Sequence, residues 1–513
     1  MEWVACMPVR VSASFPRILL LTVSLSFAPL LGAANLPPQK LASAMSEATP
    51  SEQLAMGWTA ARQGDYTRAR ALLARLRADP QLARSGNEVQ ANAYELEAWL
   101  TLEAKRTDEA LALLRKAQAL TPDRTYPRDT RSPFYATAGR PADAARALCE
   151  ALAWNGDDAS ARFEPVLINH LAQALRDDNA ALQPLLQALF DTQWTDEGQD
   201  PQYRWQRLAE MQADAGQTEA LQRTVARIDQ PMPLLHLGID RRFDAAMAAR
   251  ATPLSAEAAL PAYVALLRGN VQAHPNQLPH VTALLTALLL AGDNAGVLDA
   301  SAPFADATPA SHAHDDEALM KMAWLLNLRA EAQRRLGQTD AAVATLRHAM
   351  SFGPGGHAAV GQQLNLALWL ADDRQPAQAL ALIEELHAIS DYGRSVADLV
   401  RVVAYQQLGD AAAVARATAA IAGRKGNDRD PYLHALLAQG RQDDAAAEII
   451  RRLRSVDTRQ NMLHDAQQYG DIPRWPLAAE REVLLQLVLQ RADVRDAIAA
   501  VGTRGQHALY PFE

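Results

Sequence analysis

Apolar and small residues recur at helical spacing along most of the chain, within a phrase that returns several times. "RTDEALALLRKAQALTP" at 106–122 and "GQTDAAVATLRHAMSFGP" at 337–354 both carry it. Each contains a turn, polar residues, alanines three or four positions apart, and a proline after the last apolar residue. This spacing is typical of an amphipathic helix, and the proline ends it. The phrase therefore predicts one helix of a recurring unit.

The copies of the phrase can be aligned on one position of that helix, occupied mostly by alanine. These anchor positions are Ala69, Ala110, Ala144, Leu221, Ala342, Ala379, Val414 and Ala445. Two early anchors lie 34 residues apart, and the last four are separated by 37, 35 and 31 residues. A period near 34 residues, built from two helices, is the signature of a helical repeat.

The pattern resembles the tetratricopeptide repeat family, specifically over 50–125 and 322–452. Counting Gly337 as position 15 of the repeat places Ala330 at 8, Ala342 at 20, Ala349 at 27 and Pro354 at 32. Small residues at 8 and 20 let two antiparallel helices approach closely, the glycine caps the first helix, and the proline stops the second. The resemblance implies an all-α fold: a solenoid of tetratricopeptide-like helical hairpins, wound as a right-handed α-superhelix with degenerate repeats in the middle.

The departures from the pattern predict the domain organisation. Pro133 falls inside an expected first helix, which should be short or irregular, and 160–192 keeps the helical period without the glycine turn. The segment 230–320 is interrupted by prolines at 231, 233, 253, 261, 275 and 279, and it is either a run of degenerate repeats or a hinge. The predicted segments are a signal peptide at 1–34, an N-terminal array at 35–230, the degenerate segment or hinge at 231–320, a C-terminal array at 321–455, and capping helices with a tail at 456–513.

The N-terminus has the order of a secretory signal. Arg10 and Arg17 precede an apolar run at 18–31, and "GAA" at 32–34 offers small residues for cleavage before Asn35. A retained N-terminal anchor is the alternative. The longest later apolar stretch, at 281–291, is too short to cross a bilayer. We therefore expect a periplasmic or secreted bacterial protein, soluble and without a membrane span once the signal is removed.

Composition excludes several function classes. The formal net charge of −9 argues against a nucleic-acid partner, which needs a basic face. Only Cys149 remains after the signal, so no internal disulfide forms, and its apolar helical setting favours a buried small residue over a reactive nucleophile. With only five lysines among 50 basic residues, and abundant alanine, the composition is that of a GC-rich bacterial genome.

Motifs that carry chemistry are weak. "GPGGHA" at 353–358 follows a helix rather than a strand, so an inter-repeat turn is favoured over a dinucleotide site. "SHAHDDE" at 311–317 could group His312, His314, Asp315 and Glu317 around a metal, but a loop whose Asp315 or Asp316 caps the next helix is favoured. We expect no catalytic residues, no metal and no cofactor, and predict that the protein is not an enzyme.

The family resemblance also implies a binding surface, because first helices of tetratricopeptide repeats line a concave groove. The residues that it places there are Trp58, Trp99, Tyr203, Gln206, Glu210, Trp324, Asn327, Glu331, Arg334 and Arg335. The indoles could stack on sugar rings or hold apolar side chains of an extended peptide, or could simply pack between repeats. The function implied is a non-catalytic protein-interaction scaffold of the bacterial cell envelope, holding a protein or peptide segment. The alternative is a helical-repeat component of a polysaccharide-export or peptidoglycan-processing system that binds glycan.

Overall fold

The protein is all-α throughout the part that the computed structural model describes, which is residues 48–155, 163–196, 199–312, 315–386, 389–424 and 431–510. In these ranges the strand-type pairings are three isolated bridges. The prediction of an all-α solenoid of helical hairpins is confirmed. The signal peptide predicted at 1–34 lies outside the described residues. No described helix is long and apolar enough to cross a membrane.

The described chain forms two compact units, residues 48–215 and 216–510. The helices of the first unit are α1 (Pro50–Arg62), α2 (Tyr66–Ala78), α3 (Asn87–Glu103), α4 (Thr107–Leu120), α5 (Tyr126–Asp129), α6 (Arg131–Thr137), α7 (Pro141–Asn155), α8 (Pro165–Ala174), α9 (Asn179–Asp191) and α10 (Gln202–Asp214).

The second unit continues the pattern of short antiparallel helices. Its helices are α11 (Thr218–Ala226), α12 (Pro231–Ile239), α13 (Asp244–Ala248), α14 (Ala256–Ala273), α15 (Leu278–Leu290), α16 (Asn294–Ser301), α17 (Asp316–Arg335), α18 (Thr339–Met350), α19 (Val360–Asp372), α20 (Pro376–Glu384), α21 (Asp391–Leu408), α22 (Ala411–Ala422), α23 (Pro431–Ala438), α24 (Gln442–Arg454), α25 (Val456–Asp465), α26 (Pro476–Leu489) and α27 (Ala492–Val501).

The turn between the two helices of a hairpin requires a left-handed residue, and glycine usually supplies it. Gly64 and Gly337 have φ of 79° and 75° at this turn. In two copies that lack the glycine, Lys105 and Arg374 adopt φ of 61° and 62° instead. The turn geometry is therefore a property of the repeat, and those two copies hold it with side chains for which it is strained.

Close helix approach explains the small residues that define the repeat. Ala69, Ala110, Ala342 and Ala379 are completely buried. Gly57 is the extreme case, because a Cβ atom added there would lie 2.7 Å from Leu96 Cδ2 of α3. The small-residue positions predicted from the sequence thus lie where helices meet.

The irregular copies of the first unit fold as expected. The copy containing Pro133 has a first helix of only seven residues, α6, preceded by the single turn α5. Residues 165–191 form two helices, α8 and α9, without a glycine turn between them, and α9 packs on α7. Proline early in a helix is tolerated, and here it accompanies a shortened one.

The proline-rich middle of the sequence belongs to the second unit. One hydrophobic core runs continuously from Leu267 to Ala435, so α14 and α15 share it with α17, α19 and α21. The part of the segment 231–320 from Leu267 onward therefore contributes to the core of the second unit. The boundary between the compact units, at 215/216, does not coincide with the predicted array boundaries at 230 and 320.

The second unit closes on itself. Each of its main helices packs on the next, and α25, near the end, returns to pack on α12, near the start. The cycle of packed neighbours runs through α12, α14, α15, α17, α19, α21, α23, α24 and α25. A hydrogen bond also joins these two helices: the side-chain amide of Gln460 in α25 donates to His236 O in α12 at 3.0 Å.

Candidate interaction surface

The first helices of the second unit carry polar side chains that are nonetheless buried. They are Asn327, Glu331, Arg334 and Arg335 on α17, Gln362, Gln363 and Asp372 on α19, and Ser395 and Asp398 on α21. Buried polar groups cost free energy unless they are hydrogen-bonded. Their partners therefore show what covers this surface.

A charged cluster lies at the carboxyl end of α17. Glu331 accepts hydrogen bonds from Nε of Arg334 at 2.7 Å and from Nε of Arg335 at 2.6 Å. Two guanidinium groups thus share one carboxylate. Arg334 donates to the carbonyl of Pro473, and Arg335 donates to that of Tyr510 at 3.1 Å. These donors thus hold backbone carbonyls from the C-terminal part of the chain.

A second cluster lies at the carboxyl end of α19. Arg481 of α26 donates two hydrogen bonds to Asp372, at 2.5 and 2.7 Å, and both side chains are more than 90% buried. Beside this pair, the ring of Trp475 packs on that of Trp369 with centroids 5.8 Å apart. A bidentate arginine–carboxylate pair is geometrically specific and, when buried, strongly destabilised by loss of one partner.

The C-terminal part that makes these contacts leaves the ring of helices and returns to the same place. We call residues 471–501, which contain α26 and α27, the closing hairpin, and residues 502–510 the tail. Backbone hydrogen bonds join the residues just before the closing hairpin to the tail. Gln468 N donates to Gly505 O at 3.0 Å, and Gly470 N donates to Leu509 O at 2.9 Å. The hairpin is thus an excursion anchored at its base, and α26 packs on α19, α23 and α24.

The tail seals the junction between the start and end of the ring. Thr503 N donates to Ile239 O at 2.9 Å, and Tyr510 N donates to Leu290 O at 2.8 Å. His507 Nδ1 lies 2.8 Å from Glu257 Oε1. Although burial alone would raise the pKa of Glu257, hydrogen bonds from its own backbone amide, His507 and Ser255 outweigh that effect and lower it.

Buried histidine rings lie at the same junction. His236 of α12 and His464 of α25 meet edge to face with ring centroids 5.3 Å apart. Burial, reinforced by the nearby His464, holds the pKa of His236 well below its usual range. His236 is therefore neutral in the folded ring.

In the first unit, the two tryptophans assigned to the groove lie in the hydrophobic core. Trp58 is 3% exposed and Trp99 is 1% exposed, and Trp99 packs edge-on against Phe134 at 6.2 Å. They occupy the packing positions between repeats because the helices approach closely there. Neither indole offers a face to a ligand in this conformation. Their burial is what packing between neighbouring repeats would produce.

The other assigned residues of the first unit lie on α10. Tyr203 is 39% exposed, whereas Gln206 is buried and donates to Glu210 at 3.0 Å. Glu210 also accepts from Arg207 at 3.0 Å. Of this group, Tyr203 is the side chain most open to a partner.

The groove residues predicted in the second unit all lie on α17, but different parts of the protein cover them. Trp324 packs half-buried against the core, and Asn327 accepts a hydrogen bond from Asn365 of α19 at 2.9 Å. Arg334 and Arg335 contact the base of the closing hairpin and the tail, respectively. The structure therefore brings the α17 residues together beneath the chain's own C-terminal part.

A buried carboxylate also occurs on a first helix of the first unit. Glu95 of α3 is 3% exposed and lies 3.3 Å from Arg124 Nη1. Burial raises the pKa of Glu95 to about 7, against the opposing effect of Arg124 and with a further increase from Glu88. The first-helix surface of this unit is therefore polar as well.

Sequence reasoning missed Asp372, Trp369, Trp475 and Arg481. Arg481 gave no clear signal, because it lies between Glu480 and Glu482 of α26 and a charged stretch of this kind is ordinarily solvated. Asp372 gave no signal, because an acidic residue at the end of a helix is ordinarily solvated. Its burial depends on a segment about 110 residues away in sequence.

The weak motifs fold as turns and caps. Asp315 caps α17 by accepting from the backbone amides of Glu317 and Ala318, both at 3.0 Å, which confirms the predicted cap. Residues 354–356 form a short turn between α18 and α19. His314 lies outside the described residues, and no described group of His, Cys, Asp and Glu has metal-binding geometry.

Cys149 of α7 is half-buried rather than fully buried as expected. Burial raises the pKa of its thiol to about 11, which keeps the sulfur protonated at neutral pH. A nucleophilic cysteine needs the thiolate. The geometry therefore disfavours the reactive alternative.

No protein-family model matches the chain, and no curated protein matches it. Among solved structures it is similar to the crystal structure of the P58(IPK) TPR domain at 2.5 Å, with 17% identity over 77% of this chain and 99% of that chain and a TM-score of 0.20. It is also similar to a circular tandem repeat protein with novel repeat topology and enhanced subunit contact surfaces, with 13% identity over 90% of this chain and 92% of that one and a TM-score of 0.12. Superpositions this poor carry no argument, so the fold assignment rests on the helical hairpins themselves.

Proposed function

We propose that the protein is a non-catalytic protein-interaction scaffold of the bacterial cell envelope, whose first-helix surfaces hold a segment of a partner protein. One observation carries this proposal. The first-helix surface of the second unit already holds a polypeptide segment, its own C-terminal part, through Arg334, Arg335 and Asp372.

The chemistry of those contacts is that of peptide recognition. Arg334 and Arg335 hold backbone carbonyls, which any peptide presents, whereas Asp372 selects an arginine side chain and Trp369 an aromatic one. Backbone contacts supply binding without sequence preference, and side-chain contacts supply specificity. A surface built in this way suits a protein partner.

Glycan as the partner has weaker support. It depended on Trp58 and Trp99 presenting paired indole faces, and both are buried. Tyr203 of α10 remains an exposed aromatic ring on a first helix of the first unit. We assign to it a peptide side chain, because the polar residues around it resemble the peptide-binding surface of the second unit in character.

The envelope location rests on the N-terminal sequence, in which basic residues, an apolar run and small residues occur in the order of a secretory signal. N-terminal sequencing of the protein from a periplasmic extract should begin at Asn35. A mature chain that begins at Met1 and is recovered from the cytoplasm would contradict it.

The partner test is photo-crosslinking in cells followed by mass spectrometry. A photoreactive residue at Tyr203 should capture a protein, whereas one at Arg115, exposed on the second helix α4, should capture markedly less. Capture of glycan, or equal capture at both positions, would contradict the proposed surface.

A further inference from the structure

The closing hairpin occupies the second-unit surface in a way that resembles a bound ligand more than a continuation of the repeats. It is anchored by backbone pairing only at its base, where Gln468 and Gly470 meet the tail. Its interactions with α17 and α19 come from a few side chains: Arg334 to Pro473, Trp369 to Trp475 and Asp372 to Arg481. Removing those contacts would leave the base intact.

The rest of the hairpin packs on α23 and α24, where Leu485, Val488 and Val494 are buried. An open cleft of about 350 Å³ lies between α24 and α27, lined by Leu453 and Ile450 on one side and Ala497 and Val501 on the other. Two further charged links from the hairpin to the ring are exposed. Arg374–Glu480 and Arg491–Asp443 both have one or both partners more than half exposed, and such pairs stabilise little. The Arg481–Asp372 pair is therefore a buried charged link between α26 and α19.

We propose that Arg334, Trp369 and Asp372 form a protein-docking site that the closing hairpin occupies as an intramolecular ligand. The partner is a segment that carries a tryptophan followed six residues later by an arginine, as Trp475 and Arg481 do in the hairpin. This inference rests on the proposed scaffold function and adds its regulation, since a partner binds this surface only by displacing the hairpin.

The electrostatics of the pair make displacement testable. In an Arg481→Ala variant, Asp372 would be left buried and unpaired as long as the hairpin stays down, a state that proteins strongly disfavour. Lifting the hairpin returns Asp372 to water and relieves this penalty. In the double variant Asp372→Ala/Arg481→Ala neither charge of the pair remains, so the hairpin should return to its wild-type position on α19.

The first experiment measures hydrogen exchange across the full-length protein. In Arg481→Ala, the amides of α26 should exchange at least tenfold faster than in the wild type, while those of α17 are unchanged. The matched control is Arg491→Ala, which removes an exposed arginine from the same hairpin and should exchange as the wild type does. Asp372→Ala/Arg481→Ala should return α26 most of the way to wild-type protection.

Two results of that experiment would overturn the inference. Wild-type exchange of α26 in Arg481→Ala would show that the pair does not hold the hairpin. Faster exchange of α17 and α26 together would show that the hairpin is an inseparable part of the ring.

The second experiment tests the docking site with a fluorescein-labelled peptide of residues 471–490. Arg481→Ala, whose site is open and retains Asp372, should bind the peptide at least tenfold more tightly than the wild type or Arg491→Ala. A peptide with both Trp475→Ala and Arg481→Ala should not bind, nor should the double variant of the protein bind the native peptide. Equal binding of both peptides would contradict the proposed specificity.

The outcomes separate this inference from the scaffold proposal. An Arg481→Ala protein that binds the peptide but crosslinks to no protein in cells would support the docking site and contradict the scaffold. Equal capture of a partner by the wild type and Arg481→Ala, with no peptide binding, would support the scaffold and overturn the docking site.

Discussion

Both units of the protein are built from helical hairpins, but only the second closes into a ring. In the first unit, strong packing is between helices near in sequence, as in α1 with α3 or α7 with α9. In the second, α25 also returns to α12, and the tail bonds to Ile239 and Leu290. A linear array frays from its ends because each repeat is stabilised only by its neighbours, whereas a closed cycle has no free end.

The comparison also separates two uses of a polar first-helix surface. On α17 and α19 such residues are covered by the closing hairpin, while on α10 Tyr203 remains open. Burial of polar groups on a first helix is thus not evidence of a core by itself. On α17 and α19 it accompanies a polypeptide segment that lies across them.

The largest effect is expected at the buried tryptophan of the first unit. Trp99→Ala should cost about 3–5 kcal/mol because it leaves a cavity beside Phe134. The matched control is Tyr203→Ala, which should cost much less than Trp99→Ala because that ring is 39% exposed. Chemical denaturation followed by circular dichroism measures both. Unchanged stability of Trp99→Ala would indicate that this indole faces the groove rather than the core.

The closure of the second unit can be broken at one glycine. A Cβ atom at Gly470 would lie 2.2 Å from the ring of Tyr510, so Gly470→Ala must displace the tail. Overpacking of this kind costs about 1–3 kcal/mol, and hydrogen exchange should rise at the amide of Tyr510, which donates to Leu290 O.

The control for Gly470→Ala is Gly269→Ala, on the exposed face of α14, where an added Cβ meets open space. This substitution should stabilise by about 0.5–1 kcal/mol because alanine favours the helix. Destabilisation by both variants to the same degree would contradict the specific role of the Gly470–Tyr510 contact.

Much of the fold could be predicted because the features of the repeat depend on residues close together in sequence. The anchors Ala69 and Ala342 mark close helix contacts, and Gly64 and Gly337 mark the turns. These features depend on residues within one or two hairpins. Even the departures, such as the short helix at Pro133, followed from local backbone chemistry.

The closed ring and its covered surface could not be predicted in the same way. Trp58 and Trp99 share a repeat position, but whether it faces a groove or a neighbour depends on helix packing angles that one sequence does not specify. Arg334 meets Pro473 across 139 residues, and no periodic pattern encodes that pairing. The residues at 456–513 were expected to cap an end, yet α26 packs back on α19.

The two units should respond to pH in opposite directions. Glu95 has a folded-state pKa of about 7, raised from 4.5, so the stability it contributes is present at low pH and is lost as pH rises from 4.5 to 7. His236 has a pKa lowered from 6.5, so the unfolded chain takes up the proton and stability is lost as pH falls below 6.5. Each effect approaches about 1.4 kcal/mol per pH unit at most.

Hydrogen exchange at pH 5 and 6.5, corrected for intrinsic rates, can resolve the two trends. With increasing pH, protection should fall in α3 and rise in α12. Glu95→Gln should flatten the first trend, and His236→Gln the second, because neither replacement titrates. Parallel trends in both units of the wild type would contradict the assigned protonation states.

The smallest effect concerns the two hairpin turns that lack glycine. Lys105 and Arg374 hold φ near +60°, a conformation that costs a non-glycine residue about 1–2 kcal/mol. Glycine removes that strain but loses about 0.5–1 kcal/mol through its greater freedom in the unfolded chain. Lys105→Gly should therefore stabilise the first unit by about 0.5–1 kcal/mol.

Arg374→Gly removes the same strain from the second unit together with the exposed ion pair to Glu480 of the closing hairpin. Its gain should therefore fall below that of Lys105→Gly, by the few tenths of a kcal/mol that exposed pairs typically contribute. Comparison of Arg374→Gly/Glu480→Ala with Glu480→Ala isolates the turn, because the ion pair is absent from both variants. Equal gains at Lys105 and Arg374 in denaturation measurements would show that the exposed pair contributes nothing, which would leave the buried Arg481–Asp372 pair as the charged attachment between α26 and α19.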